Sequence, residues 1–339
     1  MQRRDSSLDI AKGIGIFLVV VGHCLIGLRT SGFLTPTLPW PQNTINFIYL
    51  FHMPLFFLIS GHLASGKHRP AGQTIWKLLL TVMYPYFLWT IVQAVVGVYL
   101  SRFTNSHVSW DSLKSLYRVI LWNPAVPYWF LYALFLCQLG YLAVRRFSHG
   151  VQMAIAVVAY AIPLFFFVAI GQAYLLIILE ATRGFLYFTV GVISVTQLKQ
   201  LGRWAAIAAT FLYVVFALVA LQSQLPGGLG EASTVPAALA GIMATIAWSR
   251  MLASRQGAVV GAIAFCGRYS MSIYVMHIFF TAGMRIAMGR LGVKPTLAGT
   301  VVEIVAATVV AMAAPLAINW VASRLRLDVW MGIQRMERA

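Results

Sequence analysis

Residues 8–24 read LDIAKGIGIFLVVVGHC, and the fold follows from how that stretch is taken. Between Lys12 and His23 only Gly13, Gly15 and Gly22 interrupt an apolar run. Read as a transmembrane helix, the steps from Lys12 to His23 turn by about 1,100°, roughly 20° past three full turns. The ammonium and the imidazole then share one helix face, about 16 Å apart along the axis. A basic group is expected at the membrane mouth and a titratable group deep in the same wall. That geometry suits a long ligand with an anionic head and a reactive far end. The plainer alternative has Lys12 merely flanking the first span and His23 packing between helices.

Working outward, the rest of the chain is of the same kind. It is 60% hydrophobic and 10% charged, with a mean hydropathy of +0.81. A soluble domain is about 45–50% apolar and about 25% charged. The net charge of +17 does not point to nucleic acid. The cations fall in short clusters between apolar runs, as in loops held at an anionic membrane surface. Cys24, Cys137 and Cys266 lie inside apolar runs without a C-x-x-C pair, so they read as packing residues and imply no disulfide framework. Arg3 and Arg4 precede the first run as in a signal peptide, but no A-x-A cleavage site follows, and a retained first span is expected.

A bilayer core takes about 20 apolar residues per helix. By that measure ten runs are expected, near 10–28, 44–64, 75–100, 126–144, 151–170, 174–195, 204–221, 235–253, 258–284 and 297–321. The expected fold is an all-α integral membrane bundle of about ten transmembrane helices, one domain over residues 1–339 without internal repeats. The polar insert 101–126, with Trp110 and Trp122, is expected along the membrane surface. In this topology 16 cations fall on the side where the chain starts and 7 on the other, leaving Arg183 and Arg268 inside the membrane. The positive-inside bias then makes both termini cytoplasmic. The expected location is multi-pass in the cell (inner) membrane.

Ionisable residues inside spans are expensive, so each is a site candidate. At a rise of about 1.5 Å per residue, His23 lies about 10 Å below the outer face and His52 about 12 Å. Glu180 and Glu303 each fall about 10 Å below it. Four titratable groups from four helices are therefore expected at one level. Arg183 is one turn from Glu180 on nearly the same face, so an intrahelical ion pair is the structural alternative. Pro54 could bend the backbone at His52, Glu303 could snorkel outward, and His277 could be interfacial. No H-x-x-x-H or HExxH spacing occurs, and no metal is expected. Such a level suits proton abstraction from a hydroxyl by a neutral histidine, oriented by a carboxylate, followed by attack on an acyl group. No G-x-S-x-G elbow is present, which favours direct transfer without an acyl-serine.

These residues resemble the acyltransferase-3 family, polytopic membrane enzymes that acylate surface sugars and polysaccharides. The family's first-helix signature, a basic residue, ten residues and a histidine, is matched by Lys12 and His23. FHMPLFFLISGHL (51–63), PYWFLYALF (127–135) and GRYSMSIYVMH (267–277) resemble further family stretches in the right order. The resemblance implies ten core helices, acetyl-CoA supplied from the cytoplasm, His23 as the catalytic residue and Lys12 helping to hold the donor. It implies a sugar hydroxyl acceptor reached from the outer face, on an exopolysaccharide, a lipid-linked unit or another envelope glycan, with polysaccharide-assembly proteins as partners. Many members carry an Arg-x-x-Arg pair near the third helix; here Lys67, Arg69 and Lys77 lack that spacing. No fused extracytoplasmic esterase-like domain is expected in this stretch.

The leading reading is thus an O-acetyltransferase acting on a carbohydrate hydroxyl. His23, with Glu180 and His52, forms the candidate catalytic group. Lys12, Arg183 and Arg268 are the candidates for donor phosphate or oxyanion. Trp129, Tyr128, Tyr274, Glu303 and His277 are the candidates for the acceptor, the aromatics by stacking, although interface aromatics are the commoner use. The alternative is a proton-coupled transporter or flippase of a glycan precursor, using the same ionisable set as a relay.

Overall fold

The stretch 8–24 lies within one unbroken helix, α1 (Ser6–Thr30), whose first turn is capped by the Asp5 carboxylate accepting from the Ser7 amide at 2.9 Å. The computed structural model describes residues 5–34, 39–66, 69–100, 120–121, 124, 127–170, 176–223, 225, 227–255 and 257–336. After α1 come α2 (Pro39–Tyr49), α3 (His52–Ala64), α4 (Ala71–Leu78), α5 (Tyr84–Tyr99), α6 (Trp129–Val144), α7 (His149–Ile170) and α8 (Leu176–Ile193). The chain continues with α9 (Val195–Gln200), α10 (Arg203–Gln222), α11 (Gly227–Ala253), α12 (Ala258–Arg268), α13 (Ser270–Arg290) and α14 (Leu297–Arg324). The described regular structure is all helical.

Among the described residues, seven stretches are long and apolar enough to cross a bilayer: Ser6–Thr30, Trp40–Ala64, Ala71–Tyr99, Arg203–Gln222, Leu229–Ala253, Ser270–Arg290 and Leu297–Arg324. The runs expected at 126–144, 151–170 and 174–195 are helices too, α6, α7 and α8. Of these, α6 (Trp129–Val144) is shorter than a span needs, α7 runs the 22 residues His149–Ile170, and α8 carries Glu180 and Arg183. Arg3, Arg4, Lys67 and the 101–126 insert, apart from residues 120, 121 and 124, lie outside the described residues.

Prolines set the breaks. The second span divides at Leu50–Phe51, four residues before Pro54, whose ring would otherwise meet the Leu50 carbonyl. His52 becomes the first residue of α3. In the third span a π-helical turn at Leu79–Met83 precedes Pro85 and relieves the same conflict with Thr81.

The ninth expected span, 258–284, is a correction. The chain leaves the helix at Tyr269, giving the short α12 and the spanning α13. A methyl at Gly13 would lie 2.1 Å from the Ile263 carbonyl oxygen, and one at Gly267 would lie 1.7 Å from that of Asp9. So α12 runs back along α1 in the opposite direction, toward where α1 begins. After the turn α13 follows α1 in the same direction, with His277 beside His23 and Arg285 beside Gly27. An 11-residue helix of about 16 Å cannot itself cross the core. The sequence pattern ran the two together because apolar residues on both sides of GRYS hide the reversal.

Helices in a membrane gain little from burying oil in oil, so close packing through small residues carries the association. α1 touches α2, α3, α11, α12, α13 and α14. A second close pair is α3 and α8: a methyl at Gly61 would lie 1.9 Å from the Phe188 carbonyl oxygen, and one at Gly191 2.0 Å from that of Leu58. The pairings 57 with 184 and 61 with 188 make α3 and α8 parallel. Residues 325–336 fold back on the bundle. Trp89 Nε1 donates to the Met331 carbonyl at 2.9 Å, and Asn319 Nδ2 donates to Ser272 Oγ at 2.6 Å and to the Gln334 carbonyl at 3.1 Å.

Candidate active site

Four polar groups stand out in the bundle, and they are distinct. The first is at its start. Asp9 is nearly buried, with Lys12 Nζ 2.7 Å from one carboxylate oxygen and Arg268 Nε 4.0 Å from the other. Arg268 is therefore not inside the membrane as expected: the reversal at Tyr269 carries it to this mouth, with its side chain 41% exposed. Among the described residues these two cations meet one carboxylate, an excess of one positive charge.

The second group is three turns along. His23 Nδ1 lies 2.9 Å from the Val19 carbonyl oxygen and 3.3 Å from His277 Nε2. His277 Nδ1 lies 2.7 Å from the Tyr274 carbonyl oxygen, and His52 Nδ1 lies 2.9 Å from that of Ile48. A carbonyl only accepts, so each ring is assigned its proton on Nδ1. His23 Nδ1–H is shared between Val19 and the Nε2 lone pair of His277. The Nε2 of His23 is thereby the basic nitrogen. His277 is fully buried, which rules out the interfacial placement. The partner of His23 among the described residues is thus another histidine, not the carboxylate expected from Glu180 or Glu303. The sequence held a signal for this: Lys12, His23 and the Tyr274-x-x-His277 pair belong to matched stretches, but which helices face each other is a tertiary fact. His52 reaches the group through Tyr49, whose ring packs on it at 4.5 Å between centroids and also lies against Gly22.

The third group lines a cavity of about 440 Å³, where Arg183 is held by two carboxylates. Its Nη1 is 3.0 Å from Glu180 and its Nη2 is 2.9 Å from Glu231. The Glu180–Arg183 intrahelical pair is present, and neither residue contacts His23. Glu231, from α11, was missed: it lies outside the apolar core of its run, and its sequence neighbours give no hint of Arg183. Tyr49, Met53 and Trp129 also line this cavity. The end of α2 and the starts of α3, α6, α8 and α11 meet here, at the end of the bundle where α1 finishes.

The fourth group is Glu303, which shares a small crevice with Cys24, Thr281 and Arg285. Glu303 is only 2% exposed, so it does not snorkel, and its Oε2 has no hydrogen-bond partner among the described residues. Tyr128 and Tyr274 are buried, and their hydroxyls donate to the carbonyls of Val275 and Pro127. They brace α6 against α13 and offer no free ring to a sugar, whereas Trp129 keeps its place on the cavity wall. Among the described residues, no three His, Cys, Asp or Glu side chains gather as a metal site requires.

Between the first and second groups lies a narrow apolar cleft of about 80 Å³, lined by Ile16, Met53, Phe56, Met271 and Tyr274 among others. Ile16 is one turn beyond Lys12 on the same face. Met53 lines both this cleft and the large cavity, so the two adjoin at a flexible side chain. A further cavity of about 240 Å³ lies between the end of α3, α4 and the end of α6. Arg69, Lys77 and Arg145 line it, and among the described residues none of them has a carboxylate partner.

A family model described as "Acyltransferase domain" matches residues 5–320. The chain is 35% identical over 140 residues to the nodulation protein NolL of Mesorhizobium japonicum, which is 39% of this chain and 34% of that protein. It is 32% identical over 173 residues to the NolL of Sinorhizobium fredii, 48% of this chain and 43% of that one. The matched stretches thus span less than half of these curated relatives. No solved structure matches the chain.

Proposed function

Because the chain belongs to the Acyltransferase domain family, we propose that it is a membrane O-acyltransferase using His23 as its base. In this reading it moves an acyl group, acetyl in the simplest case, from acyl-CoA to a sugar hydroxyl of an exopolysaccharide or other envelope glycan. α1 begins at the cytoplasmic face of the inner membrane. The observation that carries the reading is the approach to the histidines from two ends. The apolar cleft begins at Ile16, one turn beyond Lys12, and the large cavity lies toward the far end. They adjoin at Met53, beside His52, and an aromatic of each packs on a histidine: Tyr274 on His277 and Tyr49 on His52.

The residues present fit an acyl-CoA donor. The surplus charge at Asp9, Lys12 and Arg268 suits phosphate, and Arg69, Lys77 and Arg145, without a carboxylate partner among the described residues, offer a second anionic subsite in place of the absent Arg-x-x-Arg pair. The cleft's apolar walls suit an extended arm. When bound, the donor supplies a thioester whose sulfur leaves as the acyl–oxygen bond forms. His23 Nε2 takes the hydroxyl proton and returns it to the departing sulfur. His277, held by Tyr274, fixes the His23 tautomer, and its neutral Nε2 accepts the hydrogen bond that tightens as His23 becomes charged.

Two outcomes follow. Lys12→Ala should raise the donor KM roughly tenfold, the loss of one charged contact, with smaller change in kcat. An unchanged KM removes Lys12 from the donor site. His277→Phe keeps the ring's bulk but not its acceptor, and should lower kcat by about 10–100-fold with the donor KM held. Loss confined to protein yield would reduce His277 to packing. Mass analysis of envelope glycans with and without the protein tests the whole reading: a missing acetyl mass supports it, and intact acetylation with blocked export supports a transporter.

A further inference from the structure

The large cavity carries more chemistry than the transfer step uses. Its lining holds two carboxylates, Glu180 and Glu231, and one guanidinium, Arg183, and no other charged side chain among the described residues. Arg183 bridges one oxygen of each carboxylate, which fixes all three in place. The second oxygen of each carboxylate is left as an acceptor. Asn46 adds an amide and Trp129 an aromatic wall. Arg183 Nε is buried without a partner among the described residues, so the cluster is not closed on itself.

Resting on the acyltransferase reading, we propose that this cavity is the acceptor's recognition subsite, and that its surplus negative charge selects a neutral or amine-bearing sugar and rejects acidic ones. The argument is electrostatic. Sugar hydroxyls donate well to fixed carboxylate oxygens, and a sugar ring presents an apolar face to Trp129. An ammonium gains from both carboxylates and from the indole face. A uronic acid or phosphorylated sugar brings a further anion to a pocket whose one cation is already shared by two. Unpaired like charges in a partly enclosed site cost heavily, and discrimination of this kind works by repulsion as much as by attraction. Glu231 is the specificity-determining residue, because it is the more exposed of the two carboxylates and comes from a different helix.

The test is binding by the full chain in lipid nanodiscs. The probes are three pentasaccharides: a neutral glucan, a glucosamine oligomer carrying free amines, and a glucuronate oligomer. The glucuronate oligomer should bind at least roughly tenfold more weakly than the other two, the order expected for one unpaired charge at low effective dielectric. Glu231→Gln should shrink that gap to about twofold or less. Asn46→Asp, which keeps the acceptor for Gln42, should widen the preference for the amine, and it keeps the idea falsifiable if Glu231→Gln misfolds. Equal or tighter binding of the glucuronate oligomer overturns the proposal, as does no binding of any probe. An unchanged ranking in a folded Glu231→Gln protein overturns it too. Because binding is read without donor, the two readings fail separately. An intact ranking without acyl transfer sinks the reaction alone, and transfer to neutral and acidic sugars alike sinks the subsite alone.

Discussion

Replacing His23 by alanine is expected to abolish acyl transfer while the protein still inserts and accumulates. General-base catalysis contributes about 10²–10⁴-fold, and here the whole apparatus converges on one nitrogen. Val19 and His277 fix the proton on Nδ1 of His23, and Met53, shared by the two cavities, follows His52 in the chain. Folding should survive, because His23 is not fully buried and its loss strands only His277 Nε2, a weak acceptor. The measurement is label transfer from acetyl-CoA by purified protein, with yield and elution profile as the folding controls. Wild-type turnover in a well-folded His23→Ala protein would falsify the mechanism. A transporter makes a different forecast: proton coupling would suffer and no acyl group would ever move.

How much of this was legible in the sequence differs by level. The helical class followed from apolar runs at span length, and the unbroken α1 from one of them. The shared face of Lys12 and His23 needs only helix periodicity, and the ladder from Lys12 through Ile16 to the His23 level is consistent with it. The hairpin at Gly267–Ser270 was hidden, because hydropathy has no sense of direction and a helix reversing inside apolar surroundings reads as one long run. Its consequence was the misplacement of Arg268. The partners of the charges were hidden for a related reason. Glu180 and Arg183 are three apart on one helix, so their pairing is local and was foreseen. Glu231 to Arg183 and His277 to His23 join residues far apart in sequence, and no spacing rule reaches across helices. Depth alone suggested that His23, His52, Glu180 and Glu303 would share a site. Residues at one depth still face different neighbours, and rotation about each helix axis separates Glu303 and Glu180 from His23.

The second large effect is expected at glycines where two helix backbones touch. Gly267→Ala puts a methyl 1.7 Å from the Asp9 carbonyl oxygen, and Gly61→Ala puts one 1.9 Å from that of Phe188. Ordinary contact between such atoms is about 3.5 Å. The obstacle in each case is helix backbone, which cannot rotate aside as a side chain could, so the helices must part by more than an ångström along the interface. Overpacking of this kind costs about 1–3 kcal/mol, occasionally more, and in a membrane no hydrophobic term offsets the lost packing. Both variants should melt several degrees below wild type in the same detergent, whereas Gly72→Ala and Gly150→Ala, whose new methyls meet nothing within 4 Å, should match or slightly exceed it. The two interfaces should then part company in function. Gly61→Ala loosens α3 from α8 and should cost stability first. Gly267→Ala displaces the residue before Arg268 from Asp9, so the folded fraction should also show a raised donor KM. If the folded fraction of Gly267→Ala kept a wild-type KM, the α12 reversal would matter to the fold and not to the donor.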